Sequence, residues 1–105
     1  MNAARFWVYV IELDRPEKVY VGSSAFPPAE RFARHKRGGR TTSRYVHKQG
    51  TRLRPDLYAH LKQPLLSREA AHAAERQLRS RLMGRGFQVF GSGCLHPRED
   101  GCFGI

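Results

Sequence analysis

Two tyrosines, an arginine and a histidine in the first third of the chain could move a proton and neutralise a negative charge. Tyr9 and Tyr20 lie in two short runs rich in β-branched and aromatic residues, and Arg31 and His35 are four positions apart in a later basic segment. A guanidinium can hold a developing oxyanion by two hydrogen bonds, and an imidazole titrates near neutral pH. These side chains predict acid–base chemistry on an anionic substrate, provided that the fold brings them together.

The two tyrosine-bearing runs are separated by a four-residue polar break containing a proline, which is typical of a β-hairpin. We expect Leu13 to pair with Lys18 across the turn. In that register Tyr9 lies opposite Gly22, and Tyr20 falls on the same face of the sheet as Tyr9. Because Gly22 has no side chain, we expect space beside Tyr9 for the backbone of a substrate.

Three helices and one further strand are predicted after the hairpin. Residues 29–37 follow two prolines and end before a double glycine, so that Arg31 and His35 share one helix face. Residues 41–50 form a short helix capped by Thr or Ser and ended by a glycine. Residues 57–61 are predicted as a third strand that covers one edge of the hairpin.

The longest helix is predicted from Ser67, a good N-cap, to Met83, with Gly84 as its stop. Its apolar positions repeat with a helical period, at Ala70, Ala71, Ala74, Leu78 and Leu82. Glu75 falls on the edge of this stripe, where a carboxylate is partly desolvated and needs a compensating cation. An ion pair with Arg79, four positions later, would explain Glu75 without any role in an active site.

Four elements of the chain, taken in order, resemble the motifs of the GIY-YIG nuclease superfamily, over roughly residues 6–90. They are Val8-Tyr9, Tyr20-Val21-Gly22, Arg31-x-x-x-His35 and the helix that carries Glu75. Trp7 stands where the first motif has glycine, and no asparagine follows Glu75, since Asn2 is the only asparagine in the chain.

The resemblance implies an α+β fold with a small three-stranded antiparallel sheet flanked by helices. It also implies a metal-dependent DNA endonuclease that hydrolyses phosphodiester bonds and leaves a 5′-phosphate and a 3′-hydroxyl. By resemblance, Glu75 is the ligand of Mg²⁺ or Mn²⁺, Arg31 stabilises the charge at phosphorus, and the remaining catalytic residues are Tyr9, Tyr20 and His35. The general base stays open, because a tyrosine with an unperturbed pKa near 10 is a poor base and His35 is the natural competitor.

The charge of the chain favours a polyanionic partner. Nineteen Lys and Arg residues against nine acidic residues give a net charge of +10. We predict phosphate contacts from basic residues between positions 34 and 54, namely Arg34, Lys36, Arg37, Arg40, Arg44, Lys48, Arg52 and Arg54. A solvated basic face would look the same. The chain could therefore also be a catalytically inactive nucleic-acid-binding domain of the same fold.

Length and composition predict one domain, residues 1–90, with a tail over residues 91–105. Neither a signal peptide nor a membrane span is predicted, so we expect a cytoplasmic protein that binds double-stranded or branched DNA and no membrane. Dimerisation or a partner protein could supply specificity. Cys94, His96 and Cys102 form a cluster without an obvious fourth zinc ligand, and we expect free thiols in an ordinary tail.

Overall fold

The predicted hairpin is the centre of a four-stranded mixed sheet in the computed structural model, which describes residues 5–38 and 44–91. The elements in chain order are β1 (Trp7–Glu12), β2 (Lys18–Ser24), α1 (Pro28–Arg37), α2 (Arg44–Gln49), β3 (Arg52–Leu53), a 3₁₀ turn (Pro55–Leu57), α3 (Arg68–Gly84) and β4 (Gln88–Gly91). The strand order across the sheet is β3-β1-β2-β4. The chain therefore forms a small α+β domain, and its sheet positions the tyrosines centrally.

The hairpin register confirms the sequence prediction. Tyr9 pairs with Gly22 and Ile11 pairs with Tyr20, and the Leu13 amide donates to the Lys18 carbonyl at 2.8 Å. Both tyrosine rings consequently lie on one face. A slip by one residue would have moved them to opposite faces.

The prediction of a strand over residues 57–61 was wrong, because this segment begins in a 3₁₀ turn and continues as turns. Pro55 lacks the amide hydrogen that a sheet ladder needs. The third strand lies just before this turn, in β3, which pairs antiparallel with Ile11 and Glu12 of β1.

A further strand corrects the expectation of a wholly antiparallel, three-stranded sheet. Residues 88–91, for which no strand was predicted, form β4 and run parallel to β2. A parallel pair requires a long crossover connection. Here the connection between β2 and β4 includes α3, which packs against both strands.

The helices follow the predicted signals closely at their ends. Pro28 occupies the first turn of α1, and Gly38 ends it with a φ of 84°. The Ser67 hydroxyl accepts from the Ala70 amide at 3.0 Å and caps α3, which continues through Gly84, one residue further than predicted. The α2 helix ends before Gly50 as expected, while its predicted capping residues, 41–43, lie outside the described residues.

Both faces of the sheet are covered, since four consecutive residues of β1, from Val8 to Ile11, are fully buried. Helix α1 covers the face that carries the tyrosines, and α3 covers the face of Val21. The longest described helix, α3, is polar over much of its length, and none of the described helices combines the length and apolarity that crossing a bilayer requires.

Candidate active site

Tyr9, Tyr20 and His35 form one buried aromatic cluster between the hairpin and α1. Their ring centroids lie 6.4 Å apart for the two tyrosines, 6.1 Å for Tyr9 and His35, and 5.7 Å for Tyr20 and His35. The Tyr9 hydroxyl and His35 Nε2 are 3.0 Å apart, which is a hydrogen bond. Tyr9 and His35 are each only 1% exposed. The structure therefore brings together three of the predicted site residues.

Gly22 makes room for this cluster, and its role differs from the expected one. A Cβ atom at Gly22 would lie 2.7 Å from the Tyr9 hydroxyl and 3.0 Å from Tyr20 Cε1. The space over the glycine is thus filled by the protein's own phenol ring. The expectation of open space there for a substrate backbone was wrong, because sequence pairing alone does not show where the ring of the opposite residue leans.

Burial and Arg31 determine the protonation of the cluster. Burial raises the pKa of Tyr9 far above its usual range, and the hydrogen bond and positive charge of Arg31 oppose this only partly. Burial, helped by the charge of Arg31, lowers the pKa of His35 to about 4. Both groups are neutral at pH 7. The buried phenol is therefore not preformed as a phenolate, and the unprotonated imidazole is the available proton acceptor.

Glu75 lies on the other side of the sheet, held at both oxygens. Its carboxylate is 3% exposed and thus belongs to the buried face of α3, while Ala70, predicted for that face, is exposed. Oε1 accepts from the Ser23 hydroxyl at 2.8 Å, and Oε2 accepts from Arg79 Nη1 at 2.8 Å. The ion pair that the helical spacing allowed is therefore present.

The two halves of the predicted site meet at the end of β2. Ser23 follows Gly22 directly, and alternation places its side chain on the opposite face from Tyr20. Glu75, bonded to Ser23, is still close enough for its negative charge to raise the pKa of Tyr9. A phosphate that contacts both halves would therefore lie at the rim of the sheet, beyond the end of β2.

The donor chemistry of Glu75 fits one kind of metal site. A carboxylate oxygen can accept more than one hydrogen bond, and Ser23 and Arg79 each donate to one oxygen of Glu75. Within the described residues, no three His, Cys, Asp or Glu side chains group together as metal ligands. A divalent ion on Glu75 would therefore have to take its other ligands from water and phosphate, as hydrated Mg²⁺ does.

Six of the eight residues predicted to contact phosphate can be assigned to two groups. Arg34 pairs with Glu30 and stacks on Phe26, Lys36 donates to the carbonyl groups at the end of α2, and Arg52 and Arg54 pair with Glu12. These four side chains have structural partners.

The second group consists of exposed cations. Arg37 and Lys48 are exposed, and within the described part of the chain neither forms an ion pair. Arg40 lies outside the described residues, and Arg44 begins α2. The cluster of Cys94, His96 and Cys102 also lies outside the described residues.

Sequence reasoning missed Ser23 as a site residue and treated Arg79 only as an alternative explanation for Glu75. The signal for Arg79 was its spacing of four from Glu75 on one helix. The signal for Ser23 was its place next to Gly22, but nothing in the sequence aligned α3 with that strand. Comparison of the chain with family models, with curated proteins and with solved structures found no match in any of the three.

Proposed function

We propose that this protein is a metal-dependent endonuclease that hydrolyses phosphodiester bonds in DNA, with a catalytic domain of the GIY-YIG type. One observation carries the proposal: a neutral, hydrogen-bonded phenol–imidazole pair lies beside an arginine, and a buried carboxylate approaches the same strand end from the opposite face. Phosphodiester hydrolysis needs an activated water, neutralised phosphoryl oxygens and help for the leaving oxygen. The sequence resemblance supports the same assignment.

The proton path in this proposal runs through Tyr9 to His35. The imidazole, unprotonated at pH 7, accepts the phenol proton at Nε2 while the phenol oxygen takes a proton from the attacking water. A concerted transfer avoids a free phenolate, which burial makes costly. Tyr20 packs against both rings and fixes their relative orientation.

Arg31 has the electrostatic role in this proposal. It lies on α1, one turn before His35, and its charge acts on both Tyr9 and His35. A guanidinium can offer two parallel hydrogen bonds to phosphoryl oxygens. It would therefore stabilise charge that develops at phosphorus during attack.

Glu75 would hold Mg²⁺ or Mn²⁺, which when bound supplies Lewis-acid stabilisation of phosphoryl and leaving oxygens. The chain's own contribution is to hold this carboxylate in place, through hydrogen bonds from Ser23 and Arg79. The exposed cations Arg37 and Lys48 would contact the DNA backbone. We expect weak sequence preference or selection of branched structures, unless dimerisation or a partner protein supplies specificity.

The satisfied state of Glu75 favours a second candidate function. Both of its oxygens have protein partners, as expected for a carboxylate that only stabilises the packing of α3. In that case the chain would be a non-catalytic nucleic-acid-binding domain of the same fold. The net charge of +10 agrees equally well with both functions.

Activity and binding measured on the same proteins separate the two functions. Supercoiled plasmid is incubated with Mg²⁺ and the wild type, Tyr9→Phe or Glu75→Ala, and binding to a duplex is measured in parallel without metal. The nuclease proposal requires nicking by the wild type and loss of nicking in both variants with DNA affinity retained. Binding without nicking by the wild type would establish the second function, and equal nicking by all three would reject this site.

A further inference from the structure

The ion pair between Glu75 and Arg79 is built into the core. The two side chains are one helical turn apart on α3, 2.8 Å between Oε2 and Nη1, and are 3% and 9% exposed. Moving both charges out of water costs free energy. Breaking the buried pair costs free energy as well, because loss of one partner leaves a buried unpaired charge. Arg79 is therefore a buried counter-ion of Glu75.

Arg79 occupies a slot between α3 and the sheet that depends on a glycine. A Cβ atom at Gly91 of β4 would lie 2.9 Å from Arg79 Cδ and 3.3 Å from its Nη1. Gly91 pairs with Val21 on the neighbouring strand, so Arg79 packs against β4 at the position where β4 pairs with β2. The position of this cation is fixed by packing and does not depend on a flexible surface side chain.

Ser23 holds the other carboxylate oxygen. Its hydroxyl donates to Oε1 at 2.8 Å, and Ser23 is continuous with Gly22, over which the Tyr9 hydroxyl lies. The carboxylate is thus fixed between a neutral donor at the strand end and a cation behind it. Any further cation on Glu75 must share its single negative charge with Arg79.

We propose that Arg79 sets the affinity of this site for divalent cations by competing with them for the Glu75 carboxylate, while Ser23 positions that carboxylate. The inference rests on the proposed function. Two cations on one carboxylate repel each other strongly where the dielectric constant is low. The free protein therefore binds a divalent ion weakly, and the negative charge of DNA phosphate offsets the repulsion when substrate is present.

Binding of Mn²⁺, measured from the loss of the free-ion paramagnetic resonance signal, tests this without any cleavage. The variant Arg79→Met removes the competing charge and keeps an apolar stem in the slot. We expect it to bind Mn²⁺ at least about tenfold more tightly than the wild type. Arg81→Met, which removes the same charge from an exposed position of α3, is the matched control and should change affinity little.

Two further variants keep the test decisive. Glu75→Gln should abolish the site in both the wild-type and Arg79→Met backgrounds. If Arg79→Met does not fold without metal, recovery of its thermal transition by Mn²⁺, to a greater extent than the wild type gains, supports the proposal. Arg79→Lys should bind Mn²⁺ with an affinity between those of the wild type and Arg79→Met.

The outcomes distinguish this inference from the nuclease proposal. If Arg79→Met binds Mn²⁺ more tightly but the wild type does not nick DNA, Arg79 competes with the ion for Glu75 and the nuclease proposal is rejected. If the wild type nicks DNA but Arg79→Met binds Mn²⁺ no more tightly than the wild type, the competition is rejected and the nuclease proposal stands. The same holds if Arg81→Met gains as much Mn²⁺ affinity as Arg79→Met.

Discussion

The Tyr9 hydroxyl and His35 Nε2 lie 3.0 Å apart in a pocket of the protein that keeps both groups neutral at pH 7. Burial makes the charged forms of phenol and imidazole costly, and the nearby Arg31 makes an imidazolium costlier still. The pair can pass a proton but does not hold a charge.

Replacing Tyr9 by Phe removes the hydroxyl and retains the ring. We expect the free energy of unfolding to fall by only about 1 kcal/mol, the usual net value of one hydrogen bond. Nicking of plasmid DNA should fall at least about 100-fold, the usual contribution of general acid–base catalysis. Tyr58→Phe, at a buried tyrosine of another part of the core, is the control. Equal rates in the two variants would remove Tyr9 from the mechanism.

Replacing Gly22 by Ala places a methyl group 2.7 Å from the Tyr9 hydroxyl. The phenol must move, so we expect a loss of about 1–3 kcal/mol in denaturant unfolding and a loss of nicking. Gly84→Ala is the matched control, since nothing lies within 4 Å of the added atom at that helical position. It should stabilise the protein by about 0.5–1 kcal/mol. Destabilisation by Gly84→Ala, or none by Gly22→Ala, would contradict this packing.

The pKa of His35 predicts a dependence of stability on pH. The folded-state pKa is about 4 against an ordinary value of 6.5, so between these values the unfolded chain binds a proton that the folded chain does not. Stability should therefore fall as the pH is lowered from 6.5 to 4, by up to about 3 kcal/mol. The variant His35→Gln should lose this part of the slope. His60→Gln, at an exposed turn, should retain it.

Lys36 and Arg37 are neighbours in the chain, but we expect their replacement by Ala to affect different properties, namely stability for Lys36 and DNA binding for Arg37. Lys36 Nζ donates to the Gly50 carbonyl at 2.8 Å, so Lys36→Ala should cost about 1 kcal/mol of stability. Arg37 is exposed, so Arg37→Ala should leave stability unchanged and weaken binding to duplex DNA. The slope of log affinity against log salt should become shallower by about 1 for Arg37→Ala. An unchanged salt slope would exclude Arg37 from phosphate contact.

Local signals in the sequence were sufficient for the hairpin register and the helix ends. The alternation of side chains and the position of one turn were enough to predict that Tyr9 and Tyr20 share a face. Ser67 caps the start of α3, and Gly38 ends α1. The spacing of Arg31 and His35 placed both on one helix. These predictions needed no information about contacts between distant parts of the chain.

Long-range packing decided what local signals missed. The strand β4 is short and pairs parallel to β2 only because α3 crosses over between them. The phosphate-binding predictions treated every cation alike, whereas Arg54 is held by Glu12 and Asp56. Glu75 and Tyr9 lie on opposite faces of the sheet, and this arrangement likewise depends on where α3 packs against the strands.

The most direct test of the nuclease proposal is the rate at which excess protein nicks supercoiled plasmid in Mg²⁺, compared between the wild type and Glu75→Gln. The variant keeps hydrogen-bonding groups for Ser23 and Arg79 and loses the negative charge that a metal ion needs. We expect nicking by the wild type that EDTA abolishes, and a rate at least about 100-fold lower in Glu75→Gln. Equal rates in the two proteins, or no nicking by a folded wild type, would contradict the proposal.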